Sequence, residues 1–278
     1  MKVLSPAKVN LHLEVLEKRP DGYHEIQTLM QRVDLCDQIE IREGGAGIRL
    51  VTEGGAIPEG MDNLAGRAAR LLCQEIGIEG NLEIRIRKRI PVGAGLGGGS
   101  GNAATTLTAL NALLHAGLDE KSLMILGARL GADVPFFIFQ KPALARGKGE
   151  ILTPVELPAQ LCFLMLVPPF QISTVWAYET YDRLAGKKKE ATPIQDSYPD
   201  VVDLLPVLKN DLELPAFTRY PEIGRMKEEL LRKGARGALM SGSGSVVFGL
   251  FVNPEEARQT EQNLMLPPGW KTVIARGI

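Results

Sequence analysis

Cysteine is scarce in this 278-residue chain. Cys36, Cys73 and Cys162 stand far apart, and no Cys-x-x-Cys pair occurs, which excludes a disulfide framework and a zinc knuckle. Histidine is equally scarce: His12, His24 and His115 are isolated, against a histidine-built metal site. There is no basic excess. Lys and Arg total 32 against 33 Asp and Glu, a net charge of −1, so nothing marks a dedicated binder of nucleic-acid phosphates. Long apolar runs are missing as well. The stretch from Leu161 to Pro169 is far too short to span a bilayer. The opening MKVLSPAKVNLHLEV has neither the apolar core nor the small-residue cleavage site of a signal peptide. The expectation is a soluble, cytoplasmic protein with no nucleic-acid or membrane partner. No feature of the chain sets an oligomeric state.

What is present is ordinary globular material: 45% apolar and 23% charged residues, enough for one large domain or two small ones. Val9, Leu11 and Leu13 alternate with other residues as in a half-buried strand, and so do Leu82, Ile84, Ile86 and Ile90. Leu64, Ala68, Leu72 and Ile76 form a helical stripe that stops at Gly77; Ala103, Leu107, Leu110 and Leu114 form a second over Asn102 to Gly117; Leu123, Leu126 and Leu130 form a third that stops at Gly131. The spacing predicts strands at Leu161–Val167, Val246–Val252 and Lys271–Ala275. It predicts helices after Ser173 or Thr174, over Glu222–Lys233 and over Pro254–Leu264. The polar stretch from Gly186 to Pro199, including Lys187-Lys-Lys, predicts an exposed connection. The fold class is therefore α+β in two domains: a mixed α/β domain over 1–154, and a split βαβ, ferredoxin-like domain over 155–278 with extra helices in its first crossover.

The most informative segment is Pro91-Val-Gly-Ala-Gly-Leu-Gly-Gly-Gly-Ser-Gly-Asn-Ala-Ala, which leaves a strand and enters a helix predicted to begin near Asn102. Glycines let the backbone take positive φ and approach a ligand, and a helix N-terminus offers unpaired N–H groups at the positive end of a dipole. Together these make a phosphate cradle. Gly93-x-Gly95-x-x-Gly98 matches the dinucleotide fingerprint, but Asp119 and Glu120, near the distance where its acid belongs, open another helix. The Walker A ending Gly-Lys-Ser/Thr is missing, as are the protein-kinase signatures and a Gly-x-Ser-x-Gly elbow.

Three segments, taken together and in this order, resemble the three motifs of the GHMP small-molecule kinases: Ser5-Pro-Ala-Lys-Val-Asn-Leu-His-Leu, the glycine loop with Asn102-Ala-Ala, and Met240-Ser-Gly-Ser-Gly-Ser-Val-Val-Phe-Gly-Leu-Phe. The resemblance spans nearly the whole chain. Arg19-Pro-Asp-Gly-Tyr-His-Glu-Ile, Gly131-Ala-Asp-Val-Pro-Phe-Phe and Asn210-Asp-Leu-Glu favour the branch of the family that phosphorylates a cytidylated polyol; the alternative is a homoserine- or mevalonate-like substrate. Gly101 departs from the family pattern, which carries Ser there in many members, and is expected to loosen the loop.

The resemblance implies ATP and Mg²⁺ as cofactors and assigns roles residue by residue. Pro91, Val92, Gly93, Ala94, Gly95, Leu96, Gly97, Gly98, Gly99, Ser100 and Gly101 fall on the ATP loop, and the Ser100 hydroxyl is the candidate contact to the metal. Asn63 and Asn111 fall near the adenine, although either suits a helix cap or helix surface equally. Asp133 falls on the family's general base; by spacing alone it is a carboxylate at a helix-to-strand turn. Lys8 falls on the lysine that holds that base ionised and stabilises the developing alkoxide; otherwise it is a strand-edge lysine with its head in water. Asn10 shares a face with Lys8 and is either a substrate contact or a structural amide. Tyr23 falls on the ring that stacks on cytosine and His24 on the residue that reads its edge. Tyr178 is the candidate for the other side of the base, with Trp176 as its rival. Ser241 and Gly242 form a tight hairpin whose N–H groups line the substrate side.

Overall fold

A computed structural model of the protein describes residues 1–54, 60–185 and 190–278. In chain order the first elements are β1 (Lys2–Lys18), β2 (His24–Glu43), β3 (Ile48–Glu53), α1 (Leu64–Glu75), β4 (Leu82–Arg87), α2 (Gly98–Leu113), α3 (Glu120–Ala128) and α4 (Val134–Phe139). Next come β5 (Ala143–Arg146), β6 (Ile151–Pro154), β7 (Cys162–Val167), α5 (Thr174–Ala185), α6 (Val201–Leu204) and β8 (Lys209–Asn210). The last are α7 (Glu213–Arg219), α8 (Pro221–Arg232), β9 (Gly237–Met240), β10 (Val247–Phe251), α9 (Pro254–Gln262) and β11 (Lys271–Arg276). The Lys187-Lys-Lys run lies outside the described residues.

Two compact units divide the chain, and both are discontinuous. One holds Met1–Ala7, Leu35–Val92 and Gly97–Gln140; the other holds Lys8–Asp34, Gly93–Leu96 and Lys141–Ile278. In the first unit, β4 runs antiparallel to the second half of β2, from Gln38↔Arg87 to Glu43↔Leu82, and parallel to β3, from Ile48↔Leu82 to Glu53↔Arg87. The alternation of β4 is realised: Leu82, Ile84 and Ile86 are buried, together with Ile39 and Ile41 of β2 and Leu50 of β3. α1 packs against α2, and both helices bury small residues: Ala65, Ala68 and Ala69 on the first, Ala103 and Ala104 on the second.

Two boundaries in this unit differ from the sequence expectation. α2 begins at Gly98, four residues before Asn102, so the last glycines form its first turn instead of a loop. Glycine's low helix propensity hides this start. The run Val134-Pro-Phe-Phe-Ile-Phe is helix α4, not a strand, with Pro135 in its first turn, where no donor is needed. A short, fully buried apolar run carries no periodicity to separate the two forms.

The second unit contains a four-stranded sheet in the order β11-β7-β10-β9, with every neighbour antiparallel. That is the order of a split βαβ fold, with α5 to α8 in the first crossover and α9 in the second. β7 is central and wholly apolar, with Phe163, Leu164, Met165 and Leu166 fully buried. α8 packs on β9 and β10, and α9 on β7, closing a core of Leu164, Leu166, Ile223, Leu230, Met240, Val247 and Phe251. β1 joins β8 in parallel at His12↔Lys209 and Leu13↔Asn210. The described part of the expected exposed connection, residues 190–199, includes the fully buried Tyr198, whose hydroxyl accepts from the Gln195 N–H (2.9 Å).

Gly101 is not a source of looseness. It is buried inside α2, its N–H donates to Gly97 O (2.8 Å), and a Cβ there would lie 2.7 Å from Pro6 O. Gly101→Ala should therefore lower stability by about 1–3 kcal/mol despite the better helix propensity of alanine, because the obstacle is backbone. Denaturant unfolding followed by circular dichroism checks this; an unchanged midpoint would show that α2 is not seated against Pro6.

Candidate active site

The glycine loop departs from ordinary backbone at alternate residues. Gly93, Gly95 and Gly97 have φ of 65°, 78° and 66°. In the second unit Gly95 has a further constraint: a Cβ would lie 2.0 Å from Ser241 O, so only glycine permits the approach of the loop to the β9–β10 turn. The loop is fixed there by Val246 N–H donating to Ala94 O (3.2 Å), Ser241 Oγ donating to Gly95 O (2.9 Å) and Lys8 N–H donating to Leu96 O (3.0 Å). In the first unit α2 begins after Gly97, and its first intrahelical bond is that of the Gly101 N–H. The N–H groups of Gly98, Gly99 and Ser100 precede that bond, and Gly97 has no side chain to cap them. Such a helix start, entered through a left-handed residue, suits an anion.

Beneath this turn lies a buried polar cluster in the first unit, in which Ser5 and Asn102 come from two of the motifs and Asp37 and Lys88 from none. The Asp37 carboxylate pairs with Lys88 Nζ and accepts from the N–H groups of Arg89 (2.7 Å) and Ile90 (2.9 Å). Asn102 Nδ2 donates to Asp37 Oδ2 and to Ser5 Oγ, both at 2.9 Å, while Asn102 Oδ1 accepts from Lys88 Nζ (3.1 Å). The cluster ties the second residue turn of α2 to β2 and to the chain leaving β4. In the sequence Asp37 is indistinguishable from the exposed polar positions of an alternating strand.

In the second unit Lys8, Asn10, His12 and Glu14 share one face of β1, and all four are buried, with Lys8 only 4% exposed. The half-buried strand expected there is in fact covered on both faces, and Lys8 is not a strand-edge lysine with its head in water. Lys8 Nζ donates to Asn10 Oδ1; Asn10 Nδ2 donates to Thr28 Oγ1 (2.8 Å), which donates to His12 O (2.6 Å). Thr28 thereby fixes which end of the Asn10 amide faces Lys8. The Asn10 N–H donates to Ser241 Oγ (3.3 Å), and a Cβ on Gly242 would lie 3.3 Å from Lys8 Nζ. Lys8, Asn10, Gly95, Ser241 and Gly242 are thus brought together. The Ser241 N–H closes the hairpin on Val246 O (2.9 Å). Asn210, present in the motif Asn210-Asp-Leu-Glu but given no role from sequence, holds this turn by donating to Met240 O (2.7 Å) and Gly242 O (2.8 Å).

Further along the same face, His12 Nδ1 donates to Val207 O (2.7 Å) and Nε2 faces Glu14 at 3.3 Å. Burial works against the Glu14 carboxylate. Hydrogen bonds from Lys209 and from the backbone and hydroxyl of Thr192, with His12 beside it, outweigh burial and bring its pKa from 4.5 to about 2.

Tyr23 follows the Asp21-Gly22 turn and is 58% exposed, with Lys148 Nζ 4.7 Å from its ring centroid. His24 opens β2 and stacks on Tyr178 of α5, centroids 4.8 Å apart and planes 27° off parallel. Of the two rivals, Tyr178 is the one beside His24. Trp176 belongs to another group, edge-on to Tyr220 (6.1 Å) and under Arg219 (5.0 Å), with Phe170 stacked on Tyr220 (4.8 Å) and edge-on to Trp270 (6.3 Å). His24 Nε2 also meets Asp182 Oδ1 at 2.7 Å, and Lys18 Nζ donates to Asp182 Oδ2 at 2.8 Å. Burial raises the Asp182 pKa, but the bonds from Lys18 and His24 overcome it and hold the carboxyl below the usual range.

The remaining candidates lie in the first unit. Asp133 is the half-buried residue at the N-cap of α4, and its carboxylate makes no capping bond. Asn63 caps α1 by accepting from the Ala65 N–H (3.0 Å). Asn111 secures the α2–α3 connection through both amide atoms, donating to Leu118 O (2.9 Å) and accepting from Leu118 N–H (3.0 Å). Among the described residues no helix is long and apolar enough to cross a membrane, and no group of three or more His, Cys, Asp and Glu is placed to hold a metal.

Known proteins resemble this chain in sequence and in fold. Residues 63–141 match the model of the GHMP kinases N terminal domain, and residues 199–264 that of the GHMP kinases C terminal domain. The chain belongs to the GHMP kinase family and is an ATP-dependent small-molecule kinase. It is 47% identical over 275 residues, 99% of its length and 97% of the relative's, to the 4-diphosphocytidyl-2-C-methyl-D-erythritol kinase of Geobacter metallireducens. A crystal structure of 4-(cytidine 5'-diphospho)-2C-methyl-D-erythritol kinase is similar over the full length of both chains, with TM-score 0.80 and 38% identity. Homoserine kinase from Cytophaga hutchinsonii, with TM-score 0.71 and 20% identity over 100% of this chain and 95% of its own, shares the fold.

Glu14 sets a pH test of this face. Its stabilisation is complete above about pH 4.5 and is lost as pH falls through about 2. Glu14→Gln should cost on the order of 2–3 kcal/mol at pH 7. The gap to the parent protein should close between those two pH values, where the parent carboxylate itself takes a proton. Urea unfolding across that range measures it; a gap independent of pH would mean that the Glu14 charge contributes nothing.

Proposed function

We propose that this chain transfers the γ-phosphoryl group of ATP to the 2-hydroxyl of 4-diphosphocytidyl-2-C-methyl-D-erythritol, a step of the non-mevalonate isoprenoid pathway. The observation that carries the substrate is the stacked pair of His24 and Tyr178, with the exposed Tyr23 next to His24 in the chain, in a protein 47% identical over nearly its whole length to a relative of that name. The three rings offer a base a stacking surface and a hydrogen-bonding edge, and stacking alone does not choose the base.

In this reading Asp133 is the general base that takes the hydroxyl proton, and Lys8 stabilises the charge that develops on the substrate oxygen. The burial of Lys8 supports its role, because an ammonium removed from water acts more strongly on a nearby anion. The loop from Pro91 to Gly101 holds the ATP phosphates on its N–H groups; Asn63 and Asn111 stand toward the adenine, each already engaged in its own turn. Asn10, Ser241 and Gly242 border the alcohol. The donor set fits Mg²⁺ that arrives with a nucleotide: Ser100 offers a hydroxyl in the first turn of α2, and such an ion takes most of its remaining ligands from phosphates and water. When bound, Mg²⁺ would neutralise phosphate charge. Positioning and electrostatics supply most of the rate. We further propose a cytoplasmic enzyme acting on this small molecule and on no nucleic acid or membrane. We also propose a division into domains 1–154 and 155–278; the two family segments, 63–141 and 199–264, fall one on each side.

A coupled ATPase assay with the cytidylated polyol, homoserine and mevalonate tests the substrate; turnover with either of the last two and none with the first would refute it. Asp133→Asn should reduce turnover about 10²–10⁴-fold with nucleotide affinity unchanged in calorimetry. Near-normal turnover removes Asp133 from the chemistry. Tyr23→Ala should cost roughly 1–3 kcal/mol in kcat/KM for the cytidylated substrate, with the KM for ATP unmoved; weakening of ATP alone would exchange the two nucleotide sites.

A further inference from the structure

The stacked ring of His24 is held from two directions by one helix. Tyr178 covers its face, and Asp182, one turn further along α5, meets its Nε2 at 2.7 Å. Lys18 holds the other carboxylate oxygen at 2.8 Å, so Oδ1 is turned toward the imidazole. Among the described residues, none of the hydrogen bonds involves His24 Nδ1, the ring's other nitrogen. Which nitrogen of a neutral imidazole carries the proton is set by the partner of the other one. An ionised carboxylate only accepts, so its neighbour Nε2 must be the N–H.

We propose that Asp182 is a specificity-determining positioning residue: by accepting the hydrogen bond of the Nε2–H it fixes the His24 tautomer, leaves Nδ1 a bare acceptor, and so makes the site select a base bearing an exocyclic amine over one bearing a carbonyl. This rests on the reading that His24 faces the base of the substrate. Cytosine presents an amine where uracil presents an oxygen. An acceptor at Nδ1 bonds the first and confronts the second with like lone pairs. A site built to pair one hydrogen-bonding group discriminates far better than one that only stacks, because the wrong ligand leaves buried groups unpaired. The low pKa of the Asp182 carboxyl is consistent with its acceptor role.

The chain has only three histidines, so ¹⁵N-histidine labelling gives a resolvable spectrum, with His24 assigned by its loss in His24→Gln. In the parent enzyme at neutral pH, Nδ1 of His24 should show the pyridine-type resonance and Nε2 the protonated one. In Asp182→Asn the amide can turn its N–H toward Nε2, and the proton moves to Nδ1, the wrong-tautomer effect known from catalytic triads. The ratio of kcat/KM for cytidine- over uridine-linked substrate should then fall at least about tenfold, while the KM for ATP stays constant. Asp182→Glu should restore both the resonance pattern and most of the ratio, which a purely structural role would not require. A protonated Nδ1 in the parent enzyme overturns the proposal. So does an unchanged substrate ratio in Asp182→Asn once its tautomer has switched, and so does an unswitched tautomer. If the parent enzyme turns over neither cytidylated nor uridylated alcohol, the substrate reading itself has failed and the proposal falls with it, an outcome separate from the spectrum.

Discussion

Burying lysine, asparagine, histidine and glutamate at alternate positions of one strand is a costly demand on a fold, and much of the second unit is arranged to meet it. Each buried polar group needs a partner, since an unpaired one costs on the order of 1–3 kcal/mol and a charge more. Along β1 the partners come from many parts of the chain: Thr28 of β2, Val207, Lys209 of β8, Thr192 and the Ser241 turn. The parallel pairing of β1 with the two-residue β8 places Lys209 and Asn210 where Glu14 and the hairpin need them. Short strands of this kind exist for the side chains they deliver more than for their ladder bonds.

The first unit solves a related problem at the start of α2. A helix opening on glycine is weak by propensity, and its first turn has no side-chain cap. The Asp37, Lys88, Asn102 and Ser5 cluster compensates by anchoring the helix one turn in. Lys88 has two partners and Asp37 four, and such satisfaction is what keeps a buried ion pair from being destabilising. The helix is thus anchored one turn in, while the N–H groups of Gly98, Gly99 and Ser100 precede its first intrahelical bond.

Much of this was legible in the amino-acid order. The four-residue stripe from Leu64 stops where Gly77 predicts, and the strand-helix alternation after Leu161 yields the observed ferredoxin-like order. The three family motifs marked the loop, β1 and the β9–β10 turn. Other features were hidden for physical reasons. Glycines disguise the true start of α2, and Val134 to Phe139 lacks any polar face from which to read a period. Asp37 and Lys88 look like the solvated positions of amphipathic strands; only the tertiary structure shows that both are inside. Asp182 was within reach, because Tyr178 and Asp182 stand four apart on one helix and so share a face.

The aromatic group around Trp176, Tyr220 and Trp270 has an optical consequence. Both tryptophans and all five tyrosines lie in the second unit, and the first contains neither. Excitation of indole or phenol therefore illuminates one half of the molecule and leaves the other dark. Fluorescence melts will follow the ferredoxin-like unit, and loosening around α1 to α4 will pass unseen unless a chromophore is introduced there. That darkness is useful, because a single tryptophan engineered into the first unit, with Trp176 and Trp270 replaced by phenylalanine and excited at the red edge where phenol does not absorb, would report on the glycine-loop helix with no other indole emitting.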